Sequence, residues 1–125
     1  MTLSDFELEV LQIFWRLGDL SVPRVHEEVH RVRKVTYSTV KTIVDRLEKK
    51  GALVRVEQHG RTIIYAASVD QESLRRPLVR EFVDRVFGSD RSTLFSYLME
   101  DGELSQEEIE SIQKLVTKAK RRLDQ

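Results

Sequence analysis

The segment that begins at Thr36 constrains the fold more than any other part of this 125-residue chain. Apolar residues recur there at helical spacing, from Thr36 as a candidate N-cap to Gly51 as a terminator. Two runs rich in β-branched residues follow, at 53–58 and 61–66, with His59-Gly60 between them. The segment therefore predicts a helix that leads directly into a β-hairpin with a two-residue connection, His59-Gly60.

This predicted helix has one apolar and one polar face. At 100° per residue, the apolar side chains at positions 40, 43, 44 and 47 fall on one side. A helix that enters the major groove of DNA needs short hydroxyls near its start and longer cations that reach guanine edges or phosphates. Both are present on the opposite side, which carries Ser38, Thr42, Asp45 and Lys49 and is flanked by Thr39, Lys41 and Arg46.

The formal net charge of zero conceals a strong segregation of charge along the chain. Residues 31–61 contain nine basic residues and three acidic ones, a net charge of +6. Residues 1–30 have two basic residues against six acidic ones, and residues 62–125 have ten against twelve. A central basic block held on one face is what phosphate binding requires. The alternative is an ordinary solvated surface on a small α+β domain.

Two further helices precede the basic segment. Ser4 and Glu7 form a capping-box pattern that predicts a helix over 5–17. Ser21 followed by Pro23 predicts a second, short helix over 22–32, with Val25, Val29 and Val32 as its apolar stripe. Three short helices followed by a hairpin favour a winged helix-turn-helix over a generic α+β surface.

The composition becomes purely helical after Asp70. The patterns predict a helix through Phe87 with a kink or a late start caused by Pro77, a short one over 94–99, and a last one opened by Ser105 with Glu108. The predicted fold class is mainly α with a small β-hairpin. We expect a winged helix-turn-helix DNA-binding domain over 1–70 and a three-helix dimerisation module over 71–125.

Several other classes of function lack support. His26-Glu27-Glu28-Val29-His30 matches the H-E-x-x-H zinc pattern, but no third-ligand segment follows it, so these residues are expected to be surface histidines. There is no cysteine, nucleophile elbow or phosphate-binding glycine loop. We predict no enzyme activity, metal or cofactor. Without an apolar run of 18 residues or a signal peptide, a cytoplasmic location without membrane contact is expected.

The chain resembles the BlaI/MecI penicillinase-repressor family almost from end to end. The resemblance rests on Leu3-Ser4 to Trp15, the run Tyr37-Ser38-Thr39-Val40-Lys41-Thr42-Ile43 with Arg46-Leu47, Lys50-Gly51, Gly60-Arg61 with Tyr65, Phe87-Gly88-Ser89, and Leu104-Ser105-Gln106-Glu107-Glu108-Ile109. It implies a homodimeric winged-helix repressor on double-stranded operator DNA. The family's copper-responsive branch has a cysteine-rich tail that this chain lacks. In the antibiotic-responsive branch, proteolysis in a sensor pathway acts on the region that corresponds to 94–98, where Ser96-Tyr97 is similar to the cleaved pair.

These observations combine into one set of predicted site residues. Those predicted to bind the operator are Tyr37, Ser38, Thr39, Lys41, Thr42, Arg46, Lys49, Arg55, His59 and Arg61. Those predicted to form the dimer are Leu78, Phe82, Val86, Leu94, Phe95, Leu98, Ile112 and Leu115. Proteolysis or destabilisation of the dimerisation module would release the repressor from a palindrome. The alternative function is a winged-helix protein-interaction adaptor without sequence-specific DNA binding.

Overall fold

Three helices and a three-stranded antiparallel sheet form the first 67 residues of the computed structural model, which describes residues 1–125. The elements are α1 (Asp5–Leu17), β1 (Leu20–Ser21), α2 (Val22–His30), α3 (Tyr37–Lys49), β2 (Leu53–His59), β3 (Thr62–Ala67), α4 (Gln71–Val86), α5 (Arg91–Glu100) and α6 (Gln106–Leu123). The chain divides into two compact units, Met1–Arg76 and Pro77–Gln125. The first unit has the helix order and hairpin of a winged helix-turn-helix, as predicted.

The first three helices begin where the sequence predicted. The side chains of Ser4, Ser21 and Thr36 each accept a hydrogen bond from the backbone N–H three residues later. Each bond satisfies one of the free N–H groups that a helix start exposes. At the other end of α3, Gly51 has φ +83°, a backbone conformation that glycine adopts at little cost.

The apolar faces of α1, α2 and α3 enclose one hydrophobic core together with the sheet. The face of α3 predicted to be apolar is buried completely, which fixes the rotation of that helix. The buried apolar residues are Val10, Leu11, Ile13, Phe14, Leu20, Val22, Val25, Val29, Val40, Ile43, Val44, Leu47, Ala52, Leu53 and Tyr65.

An ion pair with a buried carboxylate joins the start of α1 to the end of α3. Glu7 is only 3% exposed, and Lys50 Nζ donates to its Oε1 at 2.7 Å. Glu7 also accepts from the backbone N–H of Ser4 at 2.9 Å. Burial raises the pKa of Glu7, but the hydrogen bonds from Lys50 and Ser4 outweigh it, so the pKa lies below its ordinary value. The ionised carboxylate thus holds α3 against α1.

The sheet has the order β1-β3-β2, and it departs from the prediction in two places. The short strand β1, which pairs Leu20 with Tyr65, was not predicted. The β2–β3 hairpin is the wing of the winged helix, and its turn is displaced by one residue. His59 pairs with Thr62, so Gly60-Arg61 forms the connection rather than His59-Gly60. An irregularity between Arg55 and Glu57 adds one residue to β2, which explains the shift in register.

Helix boundaries also differ from the prediction, and α5 extends beyond 94–99 to Arg91–Glu100. α2 ends at His30, because the N–H groups of Val32 and Arg33 both bond to the carbonyl of Val29 in a tight turn. Val32 is consequently 79% exposed and does not belong to the apolar stripe. α4 begins at Gln71 and contains Pro77, so the predicted late start is wrong.

The segment between β3 and α4 is anchored within the first unit. The indole N–H of Trp15, the only tryptophan, donates to the carbonyl of Val69 at 3.1 Å. Leu74 packs against the core, and Asp70 accepts from the backbone N–H of Ser73 at 3.0 Å. These contacts support the first turn of α4 before Pro77 is reached.

The second unit contains helices but no buried residues. α4, α5 and α6 all lack a buried side chain, although the ring of Phe87 has its centre 6.1 Å from that of Phe82 and 6.1 Å from that of Tyr97. The capping box predicted for Ser105 and Glu108 is present at the start of α6. No helix of the protein combines the length and the apolar character that a membrane crossing requires.

Candidate nucleic-acid interface

The polar face of α3 is presented to solvent as a consequence of the core beneath it. Because Val40, Val44 and Leu47 are fully buried, the residues on the opposite side of the helix must project outward. The residues predicted for that side are exposed, and they are Ser38, Thr39, Thr42, Asp45, Arg46 and Lys49; Lys41 at their edge is half-buried.

A network of hydroxyl groups covers the first turn of α3. The hydroxyl of Thr36 lies 2.8 Å from that of Thr39 and 3.1 Å from that of Ser38. Thr42 donates to the carbonyl of Ser38 at 2.9 Å. Short polar groups are therefore already oriented at the end of the helix where a DNA-reading helix meets bases and phosphates.

The structure divides the predicted cations into two groups, and the first is neutralised locally. Lys41 Nζ donates to Asp45 at 2.8 Å, and the hydrogen bond raises the pKa of Lys41. Arg55 Nε donates to Glu48 at 2.7 Å, which likewise raises the pKa of Arg55. In a complex with DNA, these carboxylates would compete with phosphate for both cations. Exposed pairs of this kind are worth only about 0.2–1 kcal/mol, so DNA can displace the carboxylates at low cost.

The second group has no ion-pair partner in the chain. It consists of Arg46 in α3, Lys49 in its last turn and Arg61 in the wing turn, all exposed. Lys34, in the segment before α3, shares these properties and was not among the predicted site residues. The clustering of Arg31, Arg33 and Lys34 in the sequence was the available signal, but Arg33 is held by Glu9 at 2.6 Å.

Contacts between α3 and β2 position the wing. The guanidinium of Arg55 bonds to Glu48 on α3 and lies 5.9 Å from the ring centre of Tyr65. At the tip, Gln58 donates to the carbonyl of Gly60 at 3.1 Å, and His59 lies 2.9 Å from the carboxylate of Glu57. The base of the wing is thus joined to α3, while Arg61 extends from the turn.

His26 of α2 contributes to packing at the start of α3. A carbonyl can only accept, so His26 Nε2, 2.8 Å from the carbonyl of Val35, must be the donor. The imidazole of His26 also meets the ring of Tyr37 edge-on at 6.0 Å. This nitrogen of the H-E-x-x-H motif is therefore engaged by the backbone. Tyr37, predicted to contact DNA, is braced on one side and exposed on the other.

The residues predicted for the dimer lie in the helical tail, and each retains contact with solvent. Leu78, Leu94 and Ile112 are half-buried. The others are exposed, and they are Phe82, Val86, Phe95, Leu98 and Leu115. A solvated apolar surface of this extent on a small helical unit is typical of a region that associates with another protein surface.

Known proteins similar to this chain include repressors and the DNA-binding domain of one of them. The family model described as penicillinase repressor matches residues 3–118. The penicillinase repressor of Bacillus licheniformis is 27% identical over 120 residues, which cover 96% of this chain and 93% of that protein. The methicillin resistance regulatory protein MecI of Mammaliicoccus sciuri is 27% identical over 116 residues, which cover 93% of this chain and 94% of that protein. The solution structure of the DNA-binding domain of the repressor BlaI matches 56% of this chain and 84% of its own, with 31% identity and a TM-score of 0.52.

Proposed function

The chain belongs to the penicillinase repressor family, and on that premise we propose that it is a homodimeric transcriptional repressor that binds a palindromic operator. The observation that carries this proposal is the presentation of α3. Its apolar face is locked in the core, its first turn displays hydroxyls, and Arg46, Lys49 and the wing residue Arg61 have no competing carboxylate.

We assign the predicted DNA contacts by the length of each side chain and its position on the surface. Side chains on the outward face of α3 are placed in the major groove, where bases are read, and longer or peripheral ones are placed on phosphates. The groove residues are Thr39, Lys41, Thr42 and Arg46, with Ser38 at the first turn; the backbone and wing residues are Tyr37, Lys49, Arg55, His59 and Arg61. Lys34 joins the second set, because it is exposed, unpaired and adjacent to the start of α3.

The dimer is proposed to form through the tail. Its helices bury no side chain in the single chain, and a second copy would cover Phe82, Val86, Phe95 and Leu115. Two α3 helices would then read inverted half-sites about one DNA turn, roughly 34 Å, or a multiple apart. Each copy alone supplies few phosphate contacts, so the linked pair gains affinity through effective concentration.

Release of the operator would follow from loss of the dimer. A protease in a sensor pathway that cuts in the 94–98 region, or a ligand that destabilises the tail, would have the same effect on affinity. Within that region Phe95, Tyr97 and Leu98 are exposed, although they lie in α5. Local opening of this helix would precede any cleavage.

The proposal is tested by selecting bound sequences from random DNA with the full chain and measuring affinity for the resulting palindrome. We expect binding to weaken as salt rises, with a slope of about 0.9 per phosphate contact. A fragment of residues 1–76 should stay folded, because it holds the whole hydrophobic core, yet bind the palindrome far more weakly. Full affinity in the fragment would refute the dimer. No duplex binding, or binding indifferent to salt, would favour the adaptor alternative.

A further inference from the structure

The last helix and the residues before it carry charge in two separate blocks. Six acidic residues and no basic one occur from Glu100 to Glu110. Five basic residues and no acidic one occur from Lys114 to Arg122. Ile112 lies between the blocks. The end of the chain is therefore strongly negative on one side of this residue and strongly positive on the other.

The same helix carries an apolar stripe that the chain leaves uncovered. Ile109, Ile112, Val116, Ala119 and Leu123 follow one another at intervals of three, four, three and four residues. This is the heptad spacing of a seam between two paired helices. Ile109 and Val116 are exposed, Leu123 is 85% exposed, and no residue of α6 is buried.

Helix electrostatics alone explain only part of the charge pattern. Acidic residues in the first turn and basic residues in the last turn stabilise any helix through its dipole. Glu110, Lys114 and Lys118 lie outside those turns, and the acidic block begins before the helix. Two of the ion pairs within the tail lie inside α4, and the third joins Asp84 of α4 to Arg91, the first residue of α5. None involves α6, so its charges are available to a partner.

We propose that α6 pairs with α6 of a second copy in antiparallel orientation, so that the acidic half of each helix faces the basic half of the other. This inference rests on the proposed homodimer and specifies its geometry. Paired helices lie about 8–10 Å apart, which is comparable to the Debye length at physiological salt. Parallel pairing would place like charges side by side at both ends without effective screening. Antiparallel pairing replaces this repulsion with attraction.

Charge reversal beside the stripe tests the orientation. At 100° per residue, Lys120 and Arg122 flank the stripe, whereas Lys118 and Arg121 point away from it. Lys120→Glu with Arg122→Glu should weaken the dimer about tenfold at low salt, because acidic flanks then face each other. Lys118→Glu with Arg121→Glu makes the same change in net charge on the outer face. This control should alter the dissociation constant less than about threefold.

Salt gives the second readout of the same variants. Sedimentation equilibrium across a salt series should show that salt weakens the native dimer more than the Lys120→Glu, Arg122→Glu dimer. In a parallel pair, reversal exchanges one repulsion for another and changes neither affinity nor salt dependence. Unchanged affinity would therefore overturn the orientation. Circular dichroism of the tail helices identifies any variant whose loss of dimer reflects a loss of helix.

Cross-linking tests the orientation without altering charge, since the chain has no cysteine of its own. Gln106→Cys and Leu123→Cys are prepared as separate variants of the full chain. In an antiparallel pair, two Gln106→Cys sites lie about 25 Å apart, at 1.5 Å rise per residue, beyond a short bis-maleimide. A mixture of the two variants should link the Gln106→Cys thiol of one copy to the Leu123→Cys thiol of the other.

The outcomes separate this inference from the function on which it rests. A chain that stays monomeric at micromolar concentration would overturn the homodimer itself. A stable dimer in which Gln106→Cys links to its own counterpart would overturn only the antiparallel arrangement. Mixed links together with weakened binding by the Lys120→Glu, Arg122→Glu variant would support both.

Discussion

α3 and α6 are both amphipathic helices with a clear apolar stripe, yet only the stripe of α3 is buried. Every apolar residue on the inner face of α3 is buried by α1, α2 and the sheet. No residue of the 18-residue helix α6 is buried. The comparison shows that the winged helix can be stabilised by its own core, whereas the tail has an apolar surface that a single chain leaves in water.

The two helices also differ in whether their charged side chains form ion pairs. In α3, Lys41 and Glu48 are held by ion pairs with Asp45 and Arg55. In α6, no charged side chain has an ion-pair partner. Partial neutralisation in α3, where Arg46 and Lys49 remain unpaired, suits the proposed DNA-binding surface rather than association with a second α3. Free, segregated charge suits a surface that selects another copy of itself.

The largest expected effect distinguishes the buried core of the first unit from the exposed apolar surface of the tail. Leu47→Ala should lower the free energy of unfolding by about 2–5 kcal/mol at any protein concentration, because it leaves a cavity in a fully buried site. Leu115→Ala, at a position that is 64% exposed, should lower stability only where the chain dimerises. Denaturant unfolding at two protein concentrations measures both. An equal, concentration-independent loss in the two variants would show that the tail has a core of its own.

The next largest effect concerns DNA binding by the outward face of α3. Arg46→Ala should reduce operator affinity by about 1–3 kcal/mol and relax the preference at one base pair if Arg46 reads guanine, as proposed. Arg61→Ala is the matched control and should weaken all sequences uniformly through a lost phosphate contact. Competition binding against a panel of single-base operator variants distinguishes them. Uniform weakening by Arg46→Ala would reassign that residue to the backbone.

The third prediction concerns the pH dependence of the first unit. The pKa of Glu7 lies below its ordinary value of 4.5, so the ionised carboxylate contributes stability above that pH. This contribution is lost as the pH falls through the lowered pKa of the folded state. Glu7→Gln retains the capping geometry and should flatten the loss of stability below about pH 5. An unchanged acid profile, measured by urea unfolding, would contradict a role for the Lys50 pair.

The smallest expected effect comes from removing the charge of Asp45, which is paired, in comparison with that of Glu110, which is not. Asp45→Asn should cost about 0.3–0.5 kcal/mol of stability by removing an exposed ion pair, yet strengthen DNA binding because Lys41 becomes free. Glu110→Gln removes an equivalent charge from α6, where no ion pair exists, and should leave both properties of the first unit unchanged. Weaker operator binding by Asp45→Asn would indicate that Asp45 contacts a base directly.

The sequence predicted the elements whose causes are local. The caps at Ser4, Ser21, Thr36 and Ser105 and the buried face of α3 follow from side-chain chemistry within one or two helical turns. Features that depend on pairing between distant segments were not predicted. The strand at Leu20 exists only because Tyr65 lies beside it.

The same distinction applies to the candidate site. Hydrophobic periodicity indicated which side of α3 faces outward, so the exposed residues could be identified from sequence. Periodicity did not indicate that Arg55 and Lys50 would be neutralised. The partners of Arg55 and Lys50 lie 7 and 43 residues away, and only the folded chain brings them together. The one-residue shift of the wing turn likewise depends on the irregularity in β2.

The hydrogen bond between Trp15 and Val69 gives the chain a built-in optical probe. Trp15 is the sole indole, and its partner lies in the same compact unit, Met1–Arg76. Its fluorescence will therefore report on the winged helix and the segment that leaves it, against a background of three tyrosines. Separation of two copies through their tails should leave this emission unchanged, whereas release of Val69 should alter it. One spectrum can thus distinguish a monomer that is still folded from one that has begun to unfold.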